Sequence, residues 1–243
     1  MSPRVFQTVL RLVYPPRCLV CGEAVESDFG LCGPCWRDTP FIAGLCCETC
    51  GVPLPGESIA TPEYCDDCLR VARPWSMGRA ALLYRDNGRK LVLGLKHGDR
   101  HDIIPTAALW MARAAHPLLC EAMMVVPVPL HWTRLLRRRF NQSAMLAQAI
   151  ARRLDIQCCP DLLVRHRRTP VLDGLGRDQR HALVSEVFRL HPRRQHHLAG
   201  KVVLLVDDVM TSGATLSAVT QVCLAGGAKD VRVLALARVS KDA

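Results

Sequence analysis

No window of this sequence stays apolar over the roughly 20 residues that a spanning helix needs, so no membrane span is expected. Nothing near the N-terminus reads as a secretory leader. Residues 5–13 are broken by Gln7, Thr8 and Arg11, and no small-residue cleavage site follows. A reducing cytoplasm is therefore the expected compartment. Internal repeats are also missing, apart from a duplicated cysteine pattern in the first third, which excludes a repeat architecture. Nor does the composition suit disorder: hydrophobic residues make up 49% of the 243, enough for a sizeable core. The length fits one large domain or two small ones. A formal net charge of +10 suits a polyanionic ligand, whether nucleic acid, a diphosphate or a membrane surface, and serves solubility equally well.

Thirteen cysteines require a reason. Eight fall into four Cys-x-x-Cys pairs: Cys18/Cys21, Cys32/Cys35, Cys47/Cys50 and Cys65/Cys68. Each pair sets two thiolates on one tight knuckle, and two knuckles complete a tetrahedral sulfur cage. Two structural zinc sites are expected. Sequence order assigns the first two pairs to one site and the last two to the other, and an interleaved pairing would use the same residues. Redox dithiols are the competing reading, but those come as one pair beside a βαβ unit. Little in this segment is apolar, so it should fold only with metal. Its acids, among them Glu23, Glu26, Glu48, Asp66 and Asp67, outnumber its arginines, which favours scaffolding or protein contact over DNA reading. Ahead of it, Val5, Val9, Leu12 and Val13 share one helical face over residues 3–14, and Pro15-Pro16 ends that helix.

At Arg73-Pro74-Trp75 the cysteine pairs stop and α/β alternation begins. We place a domain boundary there: residues 1–74 hold the helix and double ribbon, and residues 75–243 the second domain. Strands are expected over 80–84, 123–128, 187–190 and 231–237, with helices over 89–95, 103–115 and 144–154. The sharpest stretch is Val202-Val203-Leu204-Leu205-Val206-Asp207-Asp208-Val209-Met210-Thr211-Ser212-Gly213-Ala214-Thr215. Five apolar residues in a row read as a strand buried on both faces, ending at two carboxylates. A hydroxyl- and glycine-rich turn and a helix over 216–224 follow. Unpaired N–H groups at that helix start make an anion cradle. The carboxylates would repel a phosphate, so they should serve ribose hydroxyls or a metal beside it.

Two basic features accompany this cradle. Lys96-His97-Gly98 sits in a cationic turn that could meet a diphosphate. Arg137, Arg138 and Arg139 form an arginine run leading into Phe140-Asn141-Gln142, a candidate hood or single-stranded DNA surface. Cys158-Cys159 cannot form a knuckle and read as buried apolar thiols.

Residues 203–215 resemble the phosphoribosyl-diphosphate (PRPP) fingerprint of type I phosphoribosyltransferases. Together with Pro-Pro-Arg-Cys, the double ribbon, the Leu-Lys turn, Pro-Val-Pro-Leu and Phe-Asn-Gln, the chain resembles the ComF family over nearly its whole length. The resemblance implies a Rossmann-like parallel sheet of the type I phosphoribosyltransferase class behind a small zinc ribbon. It implies that Thr211, Ser212, Gly213, Ala214 and Thr215 hold a ribose 5-phosphate and that Asp207 and Asp208 bond the ribose hydroxyls. Lys96, His97 and Gly98 would form the diphosphate loop, with Mg²⁺ accompanying PRPP. It further implies an association with DNA uptake and recombination in natural competence, as a phosphoribosyltransferase with no acceptor base named. The alternative is a non-catalytic adaptor for single-stranded DNA or for a helicase or recombination partner. The sequence departs from the family where Arg139 replaces a usual glycine, and where Leu172 and Leu183 stand at positions often held by Gln and Asn.

Overall fold

A computed structural model of the chain describes residues 15–27, 30–57, 61–131, 133, 135–136, 139–166 and 187–240. The helix expected over 3–14, Arg137, Arg138, Leu172 and Leu183 lie outside them. In chain order the strands are β1 (Met77–Leu83), β2 (Met123–Pro127), β3 (Gln157–Cys158), β4 (Leu163–Arg165), β5 (Phe188–Leu190), β6 (Val202–Met210) and β7 (Asp230–Arg238). The helices are α1 (Gly33–Arg37), α2 (Asp66–Arg70), α3 (Asp86–His97), α4 (Ile104–Ala115), α5 (Gln142–Leu154) and α6 (Ala214–Ala225).

The main sheet is parallel throughout, in the order β1-β7-β6-β2-β3. The unbroken apolar run of β6 is what such a central strand needs, because both of its faces are covered. Val202, Leu204 and Val206 pack with Val125, Leu234 and Leu236 beneath α3, α4 and α5. Val203 and Leu205 pack on the other face with Met124, Val126 and Val233 beneath α6. From β1 the chain crosses by α3 and α4 to β2, then by α5 to β3, moving towards one edge. From β6 it crosses by α6, on the opposite face, to β7, in the direction of the β1 edge. The direction of travel reverses between β6 and β2, and the carboxyl ends of strands at such a switch point border a crevice.

Three expected elements differ in extent. The strand at the centre runs past both carboxylates to Met210, because β7 goes on pairing with it (Val209 with Ala237, Met210 with Arg238). Its ladder with β2 stops at Pro127 opposite Val206, so the far end of β6 is open on one side. The helix expected over 89–95 runs from Asp86 to His97, which places Lys96 and His97 in a last helical turn rather than in a loop. Cations are favoured at that negative helix end, and Gly98 N–H closes it on Gly94 O at 2.9 Å. The strand expected over 187–190 is not an edge of the main sheet. Phe188–Leu190 pairs antiparallel with Leu163–Arg165 in a separate two-stranded ribbon. Cys159 is buried as expected, while Cys158 lies half-buried on the edge strand β3.

The cysteine-rich segment is docked on β1. Residues 40–42 run along its outer edge, with Ile42 N–H donating to Ala81 O at 3.0 Å and Leu83 N–H to Pro40 O at 2.8 Å. At the start of β1, Gly78 N–H donates to Glu48 O at 2.9 Å, and Trp75 Nε1 donates to Thr49 O at 2.6 Å. A Cβ at Gly78 would stand 2.3 Å from Thr49 O, so that approach requires glycine. Among the described residues, no helix is long and apolar enough to cross a membrane.

Candidate functional site

The carboxylates of β6 reach the crevice between β6 and β2. Asp207 Oδ1 accepts from Ser143 Oγ and from Asp208 N–H, each at 2.9 Å. Ser143 is fixed there because Asn141 caps α5: its side-chain oxygen accepts from the N–H groups of Ser143 (3.0 Å) and Ala144 (3.4 Å). Burial, reinforced by the neighbouring Asp208 charge, pushes the Asp207 carboxyl up to about 7, against the pull of Ser143 and Lys96. Lys96 Nζ lies 3.3 Å from Asp208 Oδ1, so the last turn of α3 does reach the carboxylates. His97 and Gly98 sit exposed beside it.

Beyond Met210 the chain turns through residues 211–213 into α6. Gly213 takes φ +80°, and a Cβ there would fall 2.9 Å from Trp75 Cη2, so the position needs glycine on both counts. Ser212 Oγ accepts from Ala214 N–H at 3.4 Å. The carbonyls of Met210, Thr211 and Ser212 are each held by an arginine. Arg238 Nη1 donates to Met210 O at 3.3 Å and Thr211 O at 2.7 Å, and Arg73 Nη1 donates to Ser212 O at 2.7 Å. With these carbonyls held, the N–H groups of Thr211, Ser212 and Gly213 enter no described hydrogen bond, and Thr211 and Ser212 are exposed. That polarity is what an anion cradle needs.

The arginine-run residues diverge. Arg139 is exposed, with φ +65° in the left-handed region. Phe140 packs edge-on against His101, the ring centroids 4.4 Å apart. Asn141, besides capping α5, donates to Val128 O at 3.3 Å. Gln142 is fully buried, and among the described residues neither its side-chain oxygen nor its nitrogen has a hydrogen-bond partner. Ser143, Arg73 and Arg238 were not singled out from the sequence. A lone arginine closing the apolar run of β7 was the one available hint of Arg238.

The cysteine pairs assemble in sequence order. Cys18, Cys21, Cys32 and Cys35 bring their sulfurs within 4.8 Å of one another, as do Cys47, Cys50, Cys65 and Cys68. The sulfurs of Cys21 and Cys32 are 3.6 Å apart, as are those of Cys50 and Cys65. Four thiolates about 2.3 Å from one ion would be about 3.8 Å apart, so both clusters fit a tetrahedral metal such as zinc. One thiol of each cluster is shifted towards thiolate, while burial and neighbouring sulfurs push Cys35, Cys50 and Cys68 up. A hydrogen bond from Cys50 holds the Cys47 thiol down to about 4. Burial works against Cys18, but backbone amides bring it to about 6.

A model of the double zinc ribbon domain matches residues 9–69, and one of the phosphoribosyl transferase domain matches residues 141–243. DNA utilization protein YhgH of Salmonella typhimurium is 31% identical over 234 residues, spanning 93% of this chain and 99% of that protein. The chain belongs to the ComF family. Competence protein F of Haemophilus influenzae, 28% identical over 230 residues, spans 91% of this chain and 96% of its own length. Among solved structures, glutamine PRPP amidotransferase from B. subtilis, complexed with ADP and GMP, matches 60% of this chain and 30% of that one, at 18% identity and a TM-score of 0.42. The ComF ribbon match contains all eight knuckle cysteines. The phosphoribosyl transferase match begins at the Asn141 cap and contains Asp207, Asp208 and the turn.

Proposed function

We propose that this ComF-family chain binds PRPP in the crevice between β6 and β2, with zinc in both cysteine clusters. The observation that carries this reading is the turn after β6, which has its carbonyls tied by Arg73 and Arg238 while the N–H groups of Thr211, Ser212 and Gly213 enter no described hydrogen bond. In this reading Thr211, Ser212, Gly213, Ala214 and Thr215 receive the 5-phosphate, and Asp207 and Asp208 accept hydrogen bonds from the ribose hydroxyls. Lys96, poised on Asp208, is placed to turn to the diphosphate, with His97 and Gly98 beside it. Among the described residues the three- or four-membered ligand clusters are the two cysteine sites, so magnesium would arrive with the diphosphate.

If the ligand turns over, the C1–O bond to diphosphate breaks and a C1–N bond forms to a nitrogen base, which gives up a proton. Magnesium would supply neutralisation of the departing charge. The contribution of the chain is electrostatic: it positions the phosphate and ribose and presents Lys96 to the leaving group. The relatives named for DNA utilization and competence support a role in DNA uptake; a part in recombination, a cytoplasmic location, and a division into a ribbon scaffold (residues 1–74) and a ligand domain (residues 75–243) belong to the same proposal. A net charge of +10 supports single-stranded DNA as a further partner, held outside the crevice by basic surface that includes Arg139.

Calorimetric titration with Mg²⁺-PRPP tests the reading, followed by a diphosphate-release assay over a panel of bases. Binding by the wild type that is lost in Asp207→Asn/Asp208→Asn is the expected result. A wild type that does not bind, or a double variant that binds equally well, would sink it.

A further inference from the structure

The second cysteine cluster and the turn at residues 210–213 share the same two arginines. Arg238 is 6% exposed and closes β7. Its Nη1 donates to the carbonyls of Met210, Thr211 and Val239, while its Nη2 donates to Cys50 Sγ at 3.8 Å. Arg73, stacked over Trp75 with its guanidinium carbon 5.7 Å from the ring centroid, donates to Ser212 O at 2.7 Å, and it lies near enough to Cys68 to pull against the burial that raises that thiol. Cys50 and Cys68 come from different knuckles of the same cluster. Arg238 therefore spans from a cluster sulfur to carbonyls of the turn, and Arg73 holds the next carbonyl from beside the same cluster.

Charge makes the span more than a packing contact. Among the described residues, no carboxylate pairs with either arginine, and the Nε of each is buried without a partner. A buried guanidinium without a counter-charge is costly. One divalent ion on four thiolates carries a net charge of about −2, concentrated on sulfurs that include Cys50, which Arg238 touches. Hydrogen bonds of this kind to ligand sulfur orient the ligands and alter how tightly the metal is held.

The geometry points to Arg238 and Arg73 as positioning residues: zinc in the Cys47/Cys50/Cys65/Cys68 cluster anchors both guanidiniums, and these fix the turn that cradles phosphate. This rests on the zinc and PRPP readings above. The Cys18/Cys21/Cys32/Cys35 cluster has no such link to the turn among the described contacts, so the coupling belongs to one of two metal sites. By reciprocity, whatever loosens the arginines also loosens that one ion.

Full-length holoprotein carrying both zinc ions tests this without PRPP. It is challenged with EDTA while zinc release is followed with a chelating dye, and amide exchange is read over residues 209–216. In Arg238→Met, one of the two zinc equivalents should leave about tenfold faster while the other keeps its wild-type rate. Exchange over the turn should accelerate in the same variant. Arg238→Lys should recover much of the zinc retention, because it restores the charge, but not the protection of the turn, because one ammonium cannot fork between sulfur and carbonyls. Arg73→Gln, at a half-buried position, gives the same pattern at smaller size if Arg238→Met does not fold. Unchanged release, equal acceleration of both ions, or an unaffected turn would overturn the coupling. A chain that binds PRPP but shows any of these results leaves the PRPP reading standing, and one that shows the selective release but binds no PRPP loses that reading alone.

Discussion

Lys96, in the last turn of α3, and Asp208, near the end of β6, form an ion pair of 3.3 Å at the mouth of the crevice, with side chains 21% and 12% exposed. It joins two segments more than a hundred residues apart and fills the space where a diphosphate would need a cation. Removing Lys96 leaves a largely buried carboxylate without its partner. Lys96→Met should therefore cost about 1–2 kcal/mol in urea unfolding, at the low end for buried pairs because water still reaches this one. Lys96→Met/Asp208→Asn should recover part of that loss, and the double-mutant cycle should give a positive coupling energy.

Asp207 sets a pH dependence. Its carboxyl lies at about 7 in the fold, raised from 3.8 by burial and by the charge of Asp208. The folded chain therefore holds a proton that the unfolded chain has released, and stability falls as pH rises between those two values. Asp207→Asn should flatten this slope, seen as a smaller difference in melting temperature between about pH 5 and about pH 8. Ribose hydroxyls need the ionised carboxylate as acceptor, so wild-type affinity for Mg²⁺-PRPP should rise through neutral pH.

Arg139 carries backbone strain that glycine would not. At φ +65° a non-glycine residue is disfavoured, and its side chain is exposed. Arg139→Gly should raise stability by about 0.5–1 kcal/mol in the ligand-free protein, measured by chemical unfolding. If the arginine also contacts single-stranded DNA, the same variant should bind DNA more weakly, with a shallower salt dependence.

Metal analysis of protein purified without chelators should give about two zinc per chain. Replacing Cys21 and Cys35 with serine should leave about one, and chelation of the wild type should unfold the segment that the two clusters organise.

Much of this architecture can be read along the chain because its signals are local. Five apolar residues before Asp207 announce a central strand, and paired knuckles announce two cages. The extent of β6 is not local, since it depends on β7 continuing to pair beyond the carboxylates. Helical spacing identified α3, but its last turn was hidden by Gly98, which reads as a loop and acts as a cap. Asn141 looked like a surface amide because its partners, the N–H groups of α5, appear only once the helix start is known. The contact of Arg238 with Cys50 spans 188 residues, and no spacing rule reaches so far.

The strip at residues 40–42 lies between the two cysteine clusters in the chain and seals the outer edge of β1. An uncovered parallel edge strand is a template on which another chain can add. Metal supply during synthesis is thus tied to quality control: a copy made in zinc starvation would present β1 to its neighbours and aggregate.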